Sequence, residues 1–236
     1  MVGVLAQLTK LRGAALNLLF PQFCVGCGKE GAFLCDSCLQ SLPRLELPIC
    51  PRCGRSQSNE ELCRNCREWQ ADIDGIRAPF RFDGVIRTAV HQLKYRNLRA
   101  IAQTLAQLMS EYLENNPLSG EVLVPVPLHN KRLRERGYNQ SALLAKELGA
   151  LMNIPVDETS LVREKFVIPQ ARTTSVEERR ANVVGVFACR GDGVHGKRVL
   201  LIDDVATSGA TMNACASVLK TAGAVAVCGL ALAREI

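Results

Sequence analysis

The sequence predicts an α/β protein in two parts: a parallel sheet flanked by helices, preceded by a small cysteine-rich, metal-binding module. Three observations carry this. Eight of the eleven cysteines stand in four Cys-x-x-Cys pairs within residues 24–66. Beyond residue 71, short apolar runs of strand length alternate with amphipathic runs of helical period. One of those apolar runs ends in two adjacent aspartates and a loop of small residues. A chain of 236 residues suits one large α/β domain and one smaller module. The boundary is expected between residues 1–70 and 71–236.

Residues 1–20 are apolar, but Lys10 and Arg12 interrupt the run and no small-residue cleavage site follows before Cys24. The reading is an amphipathic helix packed on the protein itself, and a cytoplasmic protein. No stretch reaches the ~20 apolar residues that span a bilayer, so no membrane span is expected. A hydrophobic share of 47% with 22% charged residues fits a packed chain rather than a disordered one. The net charge of +6 favours anionic partners, either phosphate-rich small molecules or nucleic acid.

The four pairs are Cys24/Cys27, Cys35/Cys38, Cys50/Cys53 and Cys63/Cys66. A Cys-x-x-Cys turn aims two thiolates at one point, and two such turns complete the tetrahedral four-sulfur set of structural zinc. Gly28 and Gly54 each follow a pair and let backbone amides turn toward sulfur. A disulfide framework needs an oxidising compartment, and a redox site needs one reactive pair rather than four. Two zinc ions are expected. Pairing the first turn with the second and the third with the fourth closes shorter loops than a cross-braced arrangement, and is favoured for that reason. With all positions taken by sulfur, such sites are structural. Cys189, Cys215 and Cys228 stand singly in apolar contexts and read as buried thiols.

The rest of the chain reads in order as follows. Residues 73–83 are extended between Asp-Gly turns, and residues 85–95 and 98–113 are helical. Residues 121–126 form a buried strand, residues 132–137 a basic loop, and residues 140–151 a helix capped by Asn139. A strand at 160–163 precedes a charged, irregular stretch over 164–182, and residues 183–188 are again strand-like. A central strand at 198–202, a helix at 209–222 and a strand at 224–231 complete the chain.

The chemistry concentrates in Val-Leu-Leu-Ile-Asp-Asp-Val-Ala-Thr-Ser-Gly-Ala-Thr at residues 199–211. An apolar strand delivers Asp203 and Asp204 to its C-terminal edge, where open α/β sheets bind ligands. The residues Ala206, Thr207, Ser208, Gly209, Ala210 and Thr211 then lead into a helix. Their amides and hydroxyls, backed by the helix dipole, form a phosphate cradle. Carboxylates beside a phosphate cradle suit a phosphorylated sugar. No base is expected beside the two acids.

This stretch resembles the signature of type I phosphoribosyltransferases. The resemblance implies that Asp203 and Asp204 hold the ribose 2- and 3-hydroxyls and that residues 206–211 hold the 5-phosphate of 5-phosphoribosyl-1-pyrophosphate. Cysteine knuckles, Val-Pro-Val-Pro-Leu-His at 124–129, Arg-Gly-Tyr-Asn-Gln at 136–140, Arg179-Arg180-x-Asn182 and the Asp-Asp loop follow one another in the order of the ComF/GntX family. The chain is similar to that family over nearly its whole length. The likeness implies a protein of competence and the uptake or use of external DNA, with magnesium accompanying the pyrophosphate substrate.

By the same likeness, the pyrophosphate loop lies around Leu128, His129, Lys131 and Arg132, with Arg134 and Arg136 adding charge. The stretch over 164–182, with Lys165, Arg172, Arg179 and Arg180, would close over substrate. Glutamine amidotransfer is not expected, since Val2 rather than cysteine follows Met1. The acceptor carries no recognisable signature. Two classes of function follow: a phosphoribosyltransferase, or a non-catalytic protein that binds phosphoribosyl pyrophosphate or single-stranded DNA beside a competence helicase. For base stacking the candidates are Trp69, Tyr95, Tyr112 and Tyr138.

Overall fold

The computed structural model describes residues 21–164 and 185–235. The expected helix over 1–20 and the Lys165, Arg172, Arg179 and Arg180 positions lie outside these residues. By packing, the chain divides into two units, residues 1–42 and 43–236. The expected boundary at 70/71 follows the motifs. The packing boundary falls earlier because Cys50, Cys53, Cys66 and Trp69 belong to the same buried cluster as the sheet residues Val199, Leu201 and Val227.

The described part of the first unit is one knuckle pair. A backbone bridge joins Phe23 to Glu30, and the Gly28 amide donates to the Cys24 carbonyl at 2.8 Å. Helix α1 (Asp36–Gln40) then starts from Cys35 as its N-cap. The larger unit opens on the same pattern. Ile49 bridges Ser56, the Gly54 amide donates to the Cys50 carbonyl at 2.9 Å, and α2 (Arg64–Arg67) starts from Cys63. Gly28 and Gly54 both have positive φ, 77° and 71°, the conformation glycine adopts without steric cost.

The sheet domain follows: β1 (Gly75–Arg77), β2 (Phe80–Arg81), α3 (Gly84–Tyr95), α4 (Ile101–Asn115), β3 (Val122–Pro125), α5 (Asn130–Arg136), α6 (Gln140–Met152), β4 (Leu161–Arg163), β5 (Phe187–Cys189), β6 (Arg198–Ala206), α7 (Ala210–Thr221) and β7 (Ala226–Arg234). The main sheet runs β1-β7-β6-β3, with β2 also on β7, and every pairing in it is parallel. Val156 adds one further parallel bridge, to Leu123. β4 and β5 form a separate antiparallel pair.

Residues 199–202 of β6 are wholly buried, as a central parallel strand covered on both faces must be. α4 packs on α6, α6 on β3 and β6, and α7 on β5 and β7. None of the described helices is long and apolar enough to cross a membrane.

Two local readings are corrected. Residues 132–137, expected as a basic loop, are helical as α5, which leaves residues 127–129 as the loop. The His129 ring accepts the Lys131 amide at its start, Gly137 with φ 79° ends it, and the residues between are good helix formers. β6 does not stop at Ile202. Its register with β7 continues through Val205 and Ala206, so both aspartates lie inside a paired strand.

Gly54 gives a direct test of the knuckle geometry. A Cβ there would sit 2.3 Å from the Ile76 carbonyl oxygen, at a φ hostile to other residues. Gly54→Ala is expected to cost about 2–4 kcal/mol in urea unfolding; a loss below about 1 kcal/mol would contradict the described contact.

Candidate functional site

Each cysteine group meets the demands of zinc. The ligand atoms of Cys24, Cys27, Cys35 and Cys38 all lie within 4.8 Å of one another, as do those of Cys50, Cys53, Cys63 and Cys66. Tetrahedral zinc–sulfur bonds of about 2.3 Å place sulfurs about 3.8 Å apart. The Cys27–Cys35 and Cys53–Cys63 sulfur separations are 3.5 and 3.7 Å.

Amides of Cys35 and Cys63 donate to the sulfurs of Cys24 and Cys50, each at 3.4 Å. The Ser37 hydroxyl helps bring Cys35 down to about 6, and the Cys66 thiol brings Cys53 down to about 4. The Cys24 sulfur pushes Cys38 up to about 12, and Cys63 and Cys66 are raised, by burial and by the Cys53 sulfur respectively. Thiolate is the form that binds metal. The sequential pairing favoured from loop length is the one the structure holds, and both groups fit structural zinc.

At the sheet, consecutive residues of β6 carry Asp203, half-buried, and Asp204, 2% exposed. The Ser141 hydroxyl donates to Asp203 Oδ1 at 2.8 Å, and the Asp204 amide donates to the same oxygen at 2.9 Å. Gln140 Nε2 donates to Asp204 Oδ1 at 3.1 Å, and Lys94 forms an ion pair with Asp204 Oδ2.

Gln140 in turn accepts from Arg136, whose guanidinium lies 5.4 Å from the Tyr95 ring centroid. Asn139 holds the start of α6 from both sides. Its Oδ1 accepts the Ser141 amide at 3.0 Å, and its Nδ2 donates to the Val126 carbonyl at 3.0 Å. The Arg-Gly-Tyr-Asn-Gln motif therefore acts by holding the acids.

Lys94, Gln140 and Ser141 escaped the sequence reading. Gln140 and Ser141 lie in and beside a motif that was visible. Lys94, at the end of an amphipathic helix, gave no local signal of an acidic partner far along the chain. The expectation that no base stands beside the aspartates is overturned by Lys94.

After Ala206, the last residue of β6, the turn of Thr207, Ser208 and Gly209 leads into α7. Ser208 Oγ accepts the Ala210 amide at 3.3 Å, and Gly209 caps the helix with φ 81°. The turn has a tight floor: a Cβ on Gly209 would lie 2.8 Å from Ile76 Cδ1 and 3.4 Å from the Trp69 ring. Thr211 stands in the first turn of α7.

Arg132 and Arg136, but not Lys131 or Arg134, line one of two neighbouring hollows. It measures about 470 Å³ and is shared with Lys94, Tyr95, Asn97 and Tyr138. Leu128 lines the other, of about 660 Å³, together with Asn130, Arg163, Glu164 and Arg190. Neither hollow is lined by the aspartates; the smaller one comes nearest through Lys94, so volume does not mark the chemistry. Of the four stacking candidates, Trp69 and Tyr138 are buried and Tyr112 half-buried, while Tyr95 is 65% exposed.

Burial pushes the Asp203 carboxyl up to about 7, and the Asp204 charge adds to the shift; Lys94 and the Ser141 hydroxyl oppose it. In the unfolded chain an aspartate titrates near 3.9. Between about pH 4 and 7 the folded protein holds a proton that the unfolded chain has lost, so stability falls as pH rises through that window.

Asp203→Asn has no ionisation to lose. Its melting temperature relative to wild type is expected to climb by a few degrees from pH 5 to pH 8, followed by circular dichroism. A pH-independent difference would refute the shift. For the zinc groups, Cys24→Ser with Cys27→Ser is expected to lower zinc from about two ions per chain to about one, by elemental analysis. Two ions retained would show that these are not ligands.

Comparisons with known proteins agree with this geometry. Residues 15–67 match the double zinc ribbon domain family, and residues 91–234 match the phosphoribosyl transferase domain family. The chain is 30% identical to competence protein ComFC of Bacillus subtilis (strain 168) over 197 residues, 80% of this chain and 79% of that protein. Identity to competence protein F of Haemophilus influenzae is 30% over 210 residues, 85% of this chain and 90% of that one. DNA utilization protein YhgH of Escherichia coli (strain K12) is 27% identical over 209 residues, 86% and 91% of the two chains.

Among solved structures, a glutamine phosphoribosylpyrophosphate amidotransferase from B. subtilis is similar with a TM-score of 0.38 and 19% identity. That match covers 56% of this chain and only 26% of the amidotransferase. A purine phosphoribosyltransferase from Pyrococcus horikoshii is similar with a TM-score of 0.35 and 17% identity, covering 56% of this chain and 71% of that one.

Proposed function

We propose, for a chain that belongs to the ComF/GntX family with its double zinc ribbon and phosphoribosyl transferase domain, that the end of β6 binds 5-phosphoribosyl-1-pyrophosphate with magnesium. One observation carries the reading. Two carboxylates, each oriented by a side chain of α6, stand immediately before a glycine turn into the N-terminus of α7.

In this reading, ribose hydroxyls donate to Asp203 and Asp204. The 5-phosphate accepts from the amides of residues 208, 209 and 211 and from the hydroxyls of Thr207, Ser208 and Thr211, with the positive end of α7 behind them. Lys131, Arg132 and Arg136 supply positive charge for the pyrophosphate, with Leu128 and His129 in the preceding loop; Arg172 and Arg180, outside the described residues, are the further candidates for that charge. Magnesium would accompany the substrate and neutralise part of the pyrophosphate charge, while the basic residues of the loop and the turn amides would hold the phosphates in place.

Transfer breaks the anomeric carbon–oxygen bond, and pyrophosphate leaves with the electron pair. A nitrogen nucleophile forms the new bond and gives up its proton. The ring passes through an oxocarbenium-like state, so the side chains act by positioning and by neutralising the leaving group. No covalent nucleophile is required. The names of the relatives, competence and DNA utilization proteins, support a setting in the uptake or use of external DNA.

A second reading, a non-catalytic protein that binds single-stranded DNA beside a competence helicase, is favoured by Tyr95. That exposed ring, with Arg136 over it, borders the hollow that also holds Arg132, a stacking and phosphate pair suited to single strands.

Calorimetric titration of zinc-loaded protein with phosphoribosyl pyrophosphate and magnesium tests the first reading. Micromolar binding is expected, weakened at least about 100-fold in Asp203→Asn with Asp204→Asn, while zinc content stays unchanged. Equal affinity in the folded double variant would remove the aspartates from the site. Absence of binding in the wild type, with salt-dependent uptake of single-stranded DNA, would leave the second reading in place.

A further inference from the structure

Arg234 ends β7 and is 1% exposed. Its main chain is fully employed: it pairs with Ala206 of β6, and its carbonyl accepts the Phe82 amide at 2.8 Å. Its side chain is only partly so: it hydrogen-bonds Cys53, but Nε and Nη1 are buried and make no hydrogen bond among the described residues. A guanidinium shut away from water with two nitrogens unsatisfied is costly, so such a group calls for a fuller partner. The groups that face it are the sulfurs of Cys53 and Cys66, with the like-charged Arg55 alongside. Arg55 Nε is also buried and unpartnered among the described residues.

The chemistry of the second cysteine group supplies that partner. Zinc with four thiolates carries two net negative charges. Cys50, Cys53 and Cys66 are 0, 3 and 1% exposed, so water does little to screen them. The first group differs, because Cys27 is exposed and Cys35 partly so.

We propose that Arg234 is the counter-cation of the second zinc–thiolate cluster, its guanidinium donating to the sulfurs of Cys53 and Cys66. Zinc then holds the end of β7 by charge and, through the Arg234–Ala206 pairing, the end of β6 as well. With zinc and no arginine, a buried doubly negative cluster loses its nearest compensation. The groups around a metal–ligand set fix its affinity in this way. The inference stands whether or not the β6 site takes phosphoribosyl pyrophosphate.

The test is zinc release from the full-length protein to a chromophoric chelator under reducing conditions. In Arg234→Met one of the two zinc equivalents is expected to leave about 10- to 100-fold faster, with the other unchanged. The Cys24→Ser, Cys27→Ser background, retaining only the second zinc, assigns the faster phase. Arg234→Lys, which keeps the charge without the planar fork, is expected to fall between. Folded Arg234→Met releasing both equivalents at the wild-type rate, or both equally faster, overturns the proposal.

A second measurement needs no variant. The Arg234 Nε proton of the wild-type protein is expected to shift when cadmium replaces zinc, in nitrogen-15 NMR spectra. An unmoved resonance is equally fatal to the assignment.

Discussion

Two carboxylates on consecutive residues of a buried strand repel one another, and little solvent is present to weaken the repulsion. Much of the architecture around β6 answers that constraint. Lys94 comes from the last turn of α3, Gln140 and Ser141 from the first turn of α6, and Arg136 from the end of α5. These elements are far apart in the chain, and each presents the end that bears the needed group. The support is unequal: Asp204 has the ammonium, whereas Asp203 has a hydroxyl and an amide and keeps its proton to about pH 7. The two carboxylates are therefore held by different kinds of group, an ammonium and an amide side chain on one and a hydroxyl and a backbone amide on the other.

Legibility followed the range of the interactions. The knuckles were readable because a Cys-x-x-Cys turn and its trailing glycine are complete within a few residues. The pairing of knuckles was readable because loop entropy penalises the longer closures. The parallel sheet was readable because a central strand is apolar at every position, as residues 199–202 are.

The helix over residues 130–136 was missed because its charge resembled that of a solvated loop, and its cap is a histidine ring rather than the usual hydroxyl or carboxylate. Lys94 was missed for a different reason. An ion pair between the end of one helix and a strand more than a hundred residues later leaves no trace in local spacing. The early packing boundary was hidden too, since motif grammar places both knuckle pairs together while burial assigns the second to the sheet domain.

The two cysteine groups show how one local design can serve two environments. Both use a glycine of positive φ, an amide-to-sulfur hydrogen bond and a helical turn begun by the third cysteine. In residues 21–42 the sulfurs are partly open to water. In the larger unit they are part of the core, flanked by Arg234 and tied to the chain beyond by Arg52, which donates to the carbonyls of Cys66 and Trp69 at 3.1 and 2.7 Å. Zinc in the second group is thus set among core side chains, where it adds to packing that the sheet domain already provides.

Trp69 is the chain's only tryptophan, and its ring lies directly beneath Gly209 in the turn that begins α7. Every photon emitted by indole therefore originates next to that turn. The protein carries its own optical gauge: a change in the packing or electric field at the turn alters the colour or lifetime of one indole, with no second indole to confuse it and no label to attach.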